Sequence, residues 1–322
     1  MRRDEGTAPG IARDACEAMG CRFEFVITDP GRADASGVVS LRALLEECRA
    51  VVLDWHDRLS LFSAGSVTSL LNREAAHRPV RVSDDVMELL LLCARVHRES
   101  SGAFDPTVGP LMRSLGFRGE PGPGAEPVWG MRHVELDTSE RLVRFARAGI
   151  ELDFGGVAKG WALDECAALL REAGVAGAVL HGGTSTAVAI GPARGTRACT
   201  IALAGGDGPV VELRDAALSV SAPHGRVVER AGRRMGHVLD PRTGEAVESG
   251  PVAAVLGDSA GACDAWSTGL LVAGTVSGSH GSGFTRILCD ASGAWSVRGP
   301  HESCVRLRGS SESSTEGTGS DA

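Results

Sequence analysis

Residues 149–165 read GIELDFGGVAKGWALDE. The run is strand-like as far as Asp153, turns on Gly155 and Gly156, carries Lys159, and takes up helical spacing from Trp161. Paired glycines at a strand–helix junction allow close approach to the backbone, and a lysine beside them favours an anion. The string fits neither common phosphate loop. In G-x-x-x-x-G-K-[ST] the lysine follows the second glycine, whereas Lys159 precedes Gly160, and G-x-G-x-x-G is absent.

Outward from this junction, helical spacing is expected over 41–61, 84–99 (with Ser83 as N-cap), 161–173 (stopped by Gly174) and 260–273. Alternation predicts strands over 22–28, 133–136, 142–145, 150–154, 175–180, 200–204, 210–213, 217–221, 234–238, 252–256, 286–289 and 295–298. Residues 101–111 (SGAFDPTVGPL) hold two prolines and two glycines and read as an irregular connection, and 119–127 as a flexible surface loop or a minor boundary. No internal repeat and no clean domain break is seen. The expected fold is α+β, with a large mixed or antiparallel sheet flanked by helices. Residues 1–17 are expected to be poorly ordered, 18–308 to form the folded domain, and 309–322 (GSSESSTEGTGSDA) to be a disordered tail.

The formal net charge of −8 argues against nucleic acid as the main partner. Nine cysteines include no C-x-x-C pair, which points to reduced thiols and away from a disulfide frame or a zinc site. There is no apolar region of signal-peptide length and no run approaching the roughly 20 residues of a membrane span, so a cytoplasmic protein is expected. Tyrosine is absent, leaving aromatic roles to Phe and Trp.

Five polar places stand out: 102–107, 153–160, 181–185, 237–244 and the helical segment 262–271. In the last, Asp264 and Thr268 are spaced i,i+4 and share one helix face, where they could offer hard oxygens to a cation. Thr268 could equally bond back to a helix carbonyl. His237 could be a structural histidine, Asp105 could cap nearby amides, and Lys159 could be solvated. Spacing alone leaves each of these open.

Taken together and in order, the strings resemble the FAD:protein FMN transferase (ApbE) family: Ala18-Met19-Gly20, SGAFDPTVGPL over 101–111, LDFGGVAKGWALD over 152–164, Gly182-Gly183, HVLDPRTG over 237–244 and DAWST over 264–268. The resemblance covers roughly 19–297. It implies a Mg²⁺-dependent enzyme with a flavin site in a cleft between sub-domains. Such an enzyme splits the pyrophosphate of FAD and transfers FMN to a Thr or Ser hydroxyl of an acceptor flavoprotein, releasing AMP. By position, the metal would be held by Asp264, Thr268 and the Gly156 carbonyl. FAD contacts would fall at Met19, Phe62, Ala103, Phe104, Asp105, Asp153, Lys159, His237 and Val238. Catalytic roles would fall to Lys159, as a positive charge beside the phosphates, and to His237, as the base for the acceptor hydroxyl. An imidazole's ordinary pKa of about 6.5 suits that second task. Hydrolysis of FAD to FMN and AMP, or flavin binding without turnover, are the alternatives.

Three positions depart from the family pattern. Phe62 stands where a more polar aromatic is usual, and Cys21 where Thr is common. His181-Gly182-Gly183-Thr184-Ser185 replaces a pattern with Asn before the glycines and Asp after them.

Overall fold

The computed structural model describes residues 10–29, 40–118, 126–191, 199–203, 208–223, 227–230, 233–247, 252–276 and 283–307. Eight strands build its main sheet: β1 (Ile11–Ala18), β2 (Cys21–Thr28), β3 (Ala178–Gly182), β4 (Thr186–Ile190), β5 (Ala216–Ser221), β6 (Val252–Gly257), β7 (Thr285–Cys289) and β8 (Trp295–Arg298). Their order across the sheet is their order along the chain, and each of the seven pairings is antiparallel. Of the two arrangements expected, the antiparallel one is observed. Among the described residues, the α-helices and every shorter strand except 305–306 enter as insertions between neighbouring strands. Six helices are described: α1 (Leu41–Leu59), α2 (Val67–Glu74), α3 (Asp84–Glu99), α4 (Gly109–Ser114), α5 (Ala158–Glu172) and α6 (Ala260–Ala273).

The period-two alternation of the strands divides the core. In β6, Ala253 and Val255 join the large core beneath the helices, while Ala254 and Leu256 join a smaller core on the opposite face. That second face is covered by a three-stranded sheet of Cys199–Ala202, Val210–Leu213 and Val305–Arg306. On β2, Phe23, Phe25 and Ile27 are fully buried toward the helices, and each contributes roughly 1.5–3 kcal/mol of transfer free energy.

Three expectations are corrected. Order begins by Ile11, because β1 pairs with β2 over eight positions through a two-residue hairpin, Met19-Gly20. The charged residues Arg13, Asp14 and Glu17 disguise β1 in the sequence, yet Arg13 and Glu17 lie on its wet face and Asp14 is only half-buried on this edge strand. Residues 150–154 are not a strand. This buried, extended stretch is held by the side chain of Asn72, which accepts from Leu152 N at 2.7 Å and donates to Leu152 O at 3.0 Å. Asp153 N donates to Pro106 O, and a parallel bridge joins Val108 to Glu151. Finally, 101–111 is not irregular throughout, since α4 begins inside it at Gly109 with a proline in its first turn. The terminal segments 1–9 and 308–322 and most of the 119–127 loop lie outside the described residues.

Candidate active site

Asp264 is the fixed point of the site. It lies on α6, only 3% exposed, and its carboxylate accepts four hydrogen bonds. Oδ1 accepts from Ser219 Oγ at 2.8 Å and Thr186 Oγ1 at 3.2 Å; Oδ2 accepts from Gly160 N at 3.2 Å and Lys159 Nζ at 3.3 Å. Thr186 and Ser219 are directly opposed across β4 and β5 and face α6 together. Gly160 N is one of the amides that the first turn of α5 leaves without a helical partner, so Asp264 also completes that helix end.

The glycines of the 149–165 stretch have distinct reasons. A Cβ on Gly160 would sit 2.1 Å from Ala260 O, so α5 and α6 touch there backbone to backbone. The contact is locked by Asp164 of α5, which accepts from Ser259 Oγ at 2.7 Å, Ala260 N at 2.7 Å and Gly261 N at 2.9 Å. Burial pushes the Asp164 carboxyl above the usual carboxylate range despite those three donors. Gly156 has a different neighbour: a Cβ there would lie 3.3 Å from Thr268 Oγ1 and 3.4 Å from Phe104 Cε2. The Gly155–Gly156 turn is therefore laid against the Thr268 side of α6. Thr268 Oγ1 donates back to Asp264 O at 3.3 Å and lies 3.4 Å from Ser221 Oγ.

The GAFD segment is organised from within. Asp105 Oδ1 accepts from Thr107 N and Thr107 Oγ1 at 2.8 and 2.6 Å, and Oδ2 accepts from Met131 N at 3.1 Å. His97 holds the same segment, with Nδ1 2.9 Å from Phe104 O. Asp153 Oδ1 accepts from Gly155 N at 2.9 Å, and its Oδ2 pairs with Arg118 Nη2 at 2.5 Å. The HVLDPRTG turn is clamped by Arg242, which holds both oxygens of Asp240 and reaches Val272 O at the end of α6. Trp129 Nε1 donates to Pro241 O at 2.7 Å.

All twelve residues singled out for binding, metal or catalysis line one cavity of about 690 Å³: Met19, Phe62, Ala103, Phe104, Asp105, Asp153, Gly156, Lys159, His237, Val238, Asp264 and Thr268. Its polar wall adds Thr184, Ser185 and Ser221, and its apolar wall adds Leu59, Leu61, Val108, Met112, Phe117 and Phe154. Phe62 stands at the rim, 83% exposed, with the Arg118 guanidinium 6.0 Å from its ring centre. His181 turns away from this cavity. Its Nδ1 lies 3.0 Å from Gly183 O and its Nε2 3.2 Å from Glu24 on the paired strand, so only Thr184 and Ser185 of that turn reach the site. Cys21 lies just behind the wall. Burial pushes its thiol up, while Lys159 and Asp264 act on it in opposite directions.

His56, Arg118, Thr186, Ser219 and Ser221 escaped the sequence reading. For the serines the signal was available: Ser219 and Ser221 repeat at period two in an otherwise apolar strand, which puts both on one face. Nothing local marks His56 or Arg118, which reach the cavity through tertiary packing.

Among the described residues no group of three or more His, Cys, Asp and Glu could hold a metal. A transition-metal centre does not fit this wall. The oxygen-only set of the Asp264 carboxylate, the Thr268 hydroxyl and the glycine backbone at 156 does fit Mg²⁺, which typically takes one or two carboxylates and completes its shell with substrate phosphates. No helix among the described residues is long and apolar enough to cross a membrane.

Comparison with known proteins agrees with this architecture. The chain is 30% identical over 258 residues to the FAD:protein FMN transferase of Rhodobacter capsulatus, covering 76% of this chain and 48% of that protein. It therefore spans about half the length of that relative. Against the FAD:protein FMN transferase of Escherichia coli K12 it is 26% identical over 280 residues, covering 76% of this chain and 75% of the relative. The crystal structure of the Pseudomonas stutzeri flavinyl transferase ApbE in its apo form superimposes with a TM-score of 0.75 at 25% identity, covering 89% of this chain and 94% of that one. The ApbE protein of Thermotoga maritima shares the fold with a TM-score of 0.76 at 22% identity, covering 91% and 98% of the two chains. The ApbE family model matches residues 19–280, and the chain belongs to the ApbE family.

Proposed function

We propose that this protein transfers FMN from FAD to a Thr or Ser hydroxyl of an acceptor flavoprotein and releases AMP. The observation that carries the reading is the convergence of residues from six separate stretches of chain on one cavity, apolar on one wall and lined on the other by hydroxyls, carboxylates and Lys159. A volume of about 690 Å³ falls within the usual range of ligand pockets.

In this reading the ring systems of FAD lie along Phe62, Phe104 and Phe117, and the pyrophosphate lies at the Gly156–Lys159 turn. The N-terminus of α5 and the Lys159 ammonium hold negative charge there. Mg²⁺ held by Asp264, Thr268 and the Gly156 carbonyl would neutralise charge building on the pyrophosphate oxygens. His237 takes the proton from the acceptor hydroxyl. That oxygen forms a bond to the FMN phosphorus as the bond to the AMP oxygen breaks, so AMP leaves with the bridging oxygen. Such a reaction depends mainly on position and charge. Hydrogen bonds from Ser219, Thr186 and Gly160 give Asp264 one fixed orientation, and the Arg242 clamp does the same for the segment bearing His237.

The test is incubation of purified protein with FAD, Mg²⁺ and a flavinylatable acceptor fragment, with and without EDTA. The readouts are acceptor mass and AMP release. An acceptor that gains one FMN only without EDTA supports transfer. AMP release with no labelled acceptor supports hydrolysis in its place, and tight binding without product sinks both.

A further inference from the structure

His56 sits on α1 and lines the cavity beside Met19. Met19 is the first residue of the β1–β2 hairpin turn and adopts φ +51°, with Gly20 at +76°, as a two-residue type I′ turn requires. A methionine in the left-handed region is strained, and its surroundings must hold it there. His56 supplies the hold: Met19 N donates to His56 Nδ1 at 3.1 Å.

That bond settles the tautomer. A backbone N–H can only donate, so Nδ1 facing it must carry a lone pair, and the ring proton resides on Nε2. Nε2–H has no hydrogen-bond partner among the described residues and is not among the buried polar atoms left unsatisfied, so it is open to a ligand. α1 is a 19-residue helix whose Ser40 N-cap accepts from Ala43 N, and this rigid element carries the donor.

We propose that His56 is a further substrate-binding residue, whose Nε2–H donates a hydrogen bond to an acceptor atom of the bound dinucleotide while Nδ1 holds the Met19 turn. The inference rests on the flavin-binding reading above. Its chemistry asks for a neutral imidazole and an oxygen or nitrogen acceptor on the ligand.

The two nitrogens can be separated by substitution. In His56→Asn the side-chain oxygen can replace Nδ1 as the acceptor for Met19 N, and nothing replaces Nε2–H. In His56→Gln the amide reaches the Nε2 position and can restore a donor. FAD binding would be titrated by quenching of flavin fluorescence, with thermal melts of the ligand-free proteins alongside. The expected result is a five- to tenfold rise in Kd for His56→Asn, the size of one neutral hydrogen bond, at a melting temperature close to that of the parent, with partial recovery in His56→Gln. Parent-like affinity in His56→Asn overturns the inference.

A measurement on the unaltered protein stands even if that variant does not fold. In histidine-¹⁵N-labelled protein, His56 should show the Nε2–H form before FAD is added and a shift of that nitrogen on saturation. An Nδ1–H form, or an Nε2 signal unmoved by bound FAD, rules the contact out. A parent protein that binds no FAD would sink the flavin reading and this inference with it. Binding that leaves His56 unmoved sinks the inference alone.

Discussion

Replacing Gly160 with alanine adds one methyl group at the crossing of α5 and α6. The new Cβ would lie 2.1 Å from Ala260 O, 2.4 Å from Ala260 C and 2.7 Å from Gly261 N, all backbone atoms that cannot rotate away. Against a normal carbon contact of about 3.5 Å, the two helices must part by more than about 1 Å. The Asp164 bonds to Ala260 N and Gly261 N and the Gly160–Asp264 bond all span this contact and would stretch together. Overpacking of a well-filled interior costs typically 1–3 kcal/mol, and loss of a helix cap adds about 1 kcal/mol. Helix propensity works the other way, favouring alanine over glycine by about 1 kcal/mol.

The net expectation for Gly160→Ala is a loss of about 2 kcal/mol, or roughly 4–8 °C in melting temperature. The assay is a thermal melt together with a urea transition. Gly65→Ala serves as control, since a Cβ there meets nothing within 4 Å, and it should stay within about 0.5 kcal/mol of the parent. A Gly160→Ala protein as stable as the parent, or more stable, would mean that propensity outweighs the clash. The close backbone contact of Gly160 with Ala260 and Gly261 would then be refuted.

Other expectations follow from individual contacts. His237→Ala should slow transfer to the acceptor by about 10²–10⁴-fold, followed by intact mass over time; a rate within a few-fold of the parent removes His237 as the base. Asn72→Ala leaves the buried Leu152 N–H and C=O without their partners, for a loss of about 2–4 kcal/mol in urea denaturation, and an unchanged midpoint would show the 150–154 stretch is held otherwise. Asp240 titrates below the ordinary carboxylate range: burial pulls its pKa upward, but the hydrogen bonds and charge of Arg242 outweigh that pull. Its stabilising contribution is therefore present above pH of about 4 and lost as pH falls through the depressed value. Asp240→Asn should be less stable than the parent at pH 7, with the gap closing at lower pH; a gap independent of pH contradicts the assignment.

Much of this fold is legible wherever one periodicity dominates. Helix 84–99 was read with the bounds it has, because Ser83, two acids in the first turn and an apolar stripe all agree. The same holds for 260–273, where Ser259 accepts from Ala262 N and Gly274 ends the helix at φ +66°. Reading failed where tertiary bonds replace local pattern. Residues 150–154 alternate like a strand, yet their partners are an asparagine side chain and two isolated backbone contacts. β1 looks too polar because one of its faces is wet. At the site, sequence order identifies residues that line the cavity, while the orientation of each needs the structure. Asp105 is the clearest case: its oxygens accept from Thr107 and Met131, which fixes the 103–107 segment along the cavity.

The placement of Lys159 and Asp264 follows from how α5 and α6 finish each other. Each helix begins with amides that its own turns cannot satisfy. Asp164, nearly two turns into α5, supplies acceptors to the first amides of α6, and Asp264, one turn into α6, supplies an acceptor to Gly160 near the start of α5. The exchange is possible only because Gly160 lets the two backbones touch. Once it is made, a carboxylate stands at the positive end of α5 with Lys159 beside it, and Thr268, one turn further along α6, faces Gly156. The oxygen set proposed for Mg²⁺ and the ammonium proposed for a phosphate thus come from the same reciprocal capping that holds the two helices together. Loosening that crossing should therefore degrade stability and any metal- or phosphate-dependent activity in parallel, whereas His237 and His56, held by other elements, can be altered with the crossing intact.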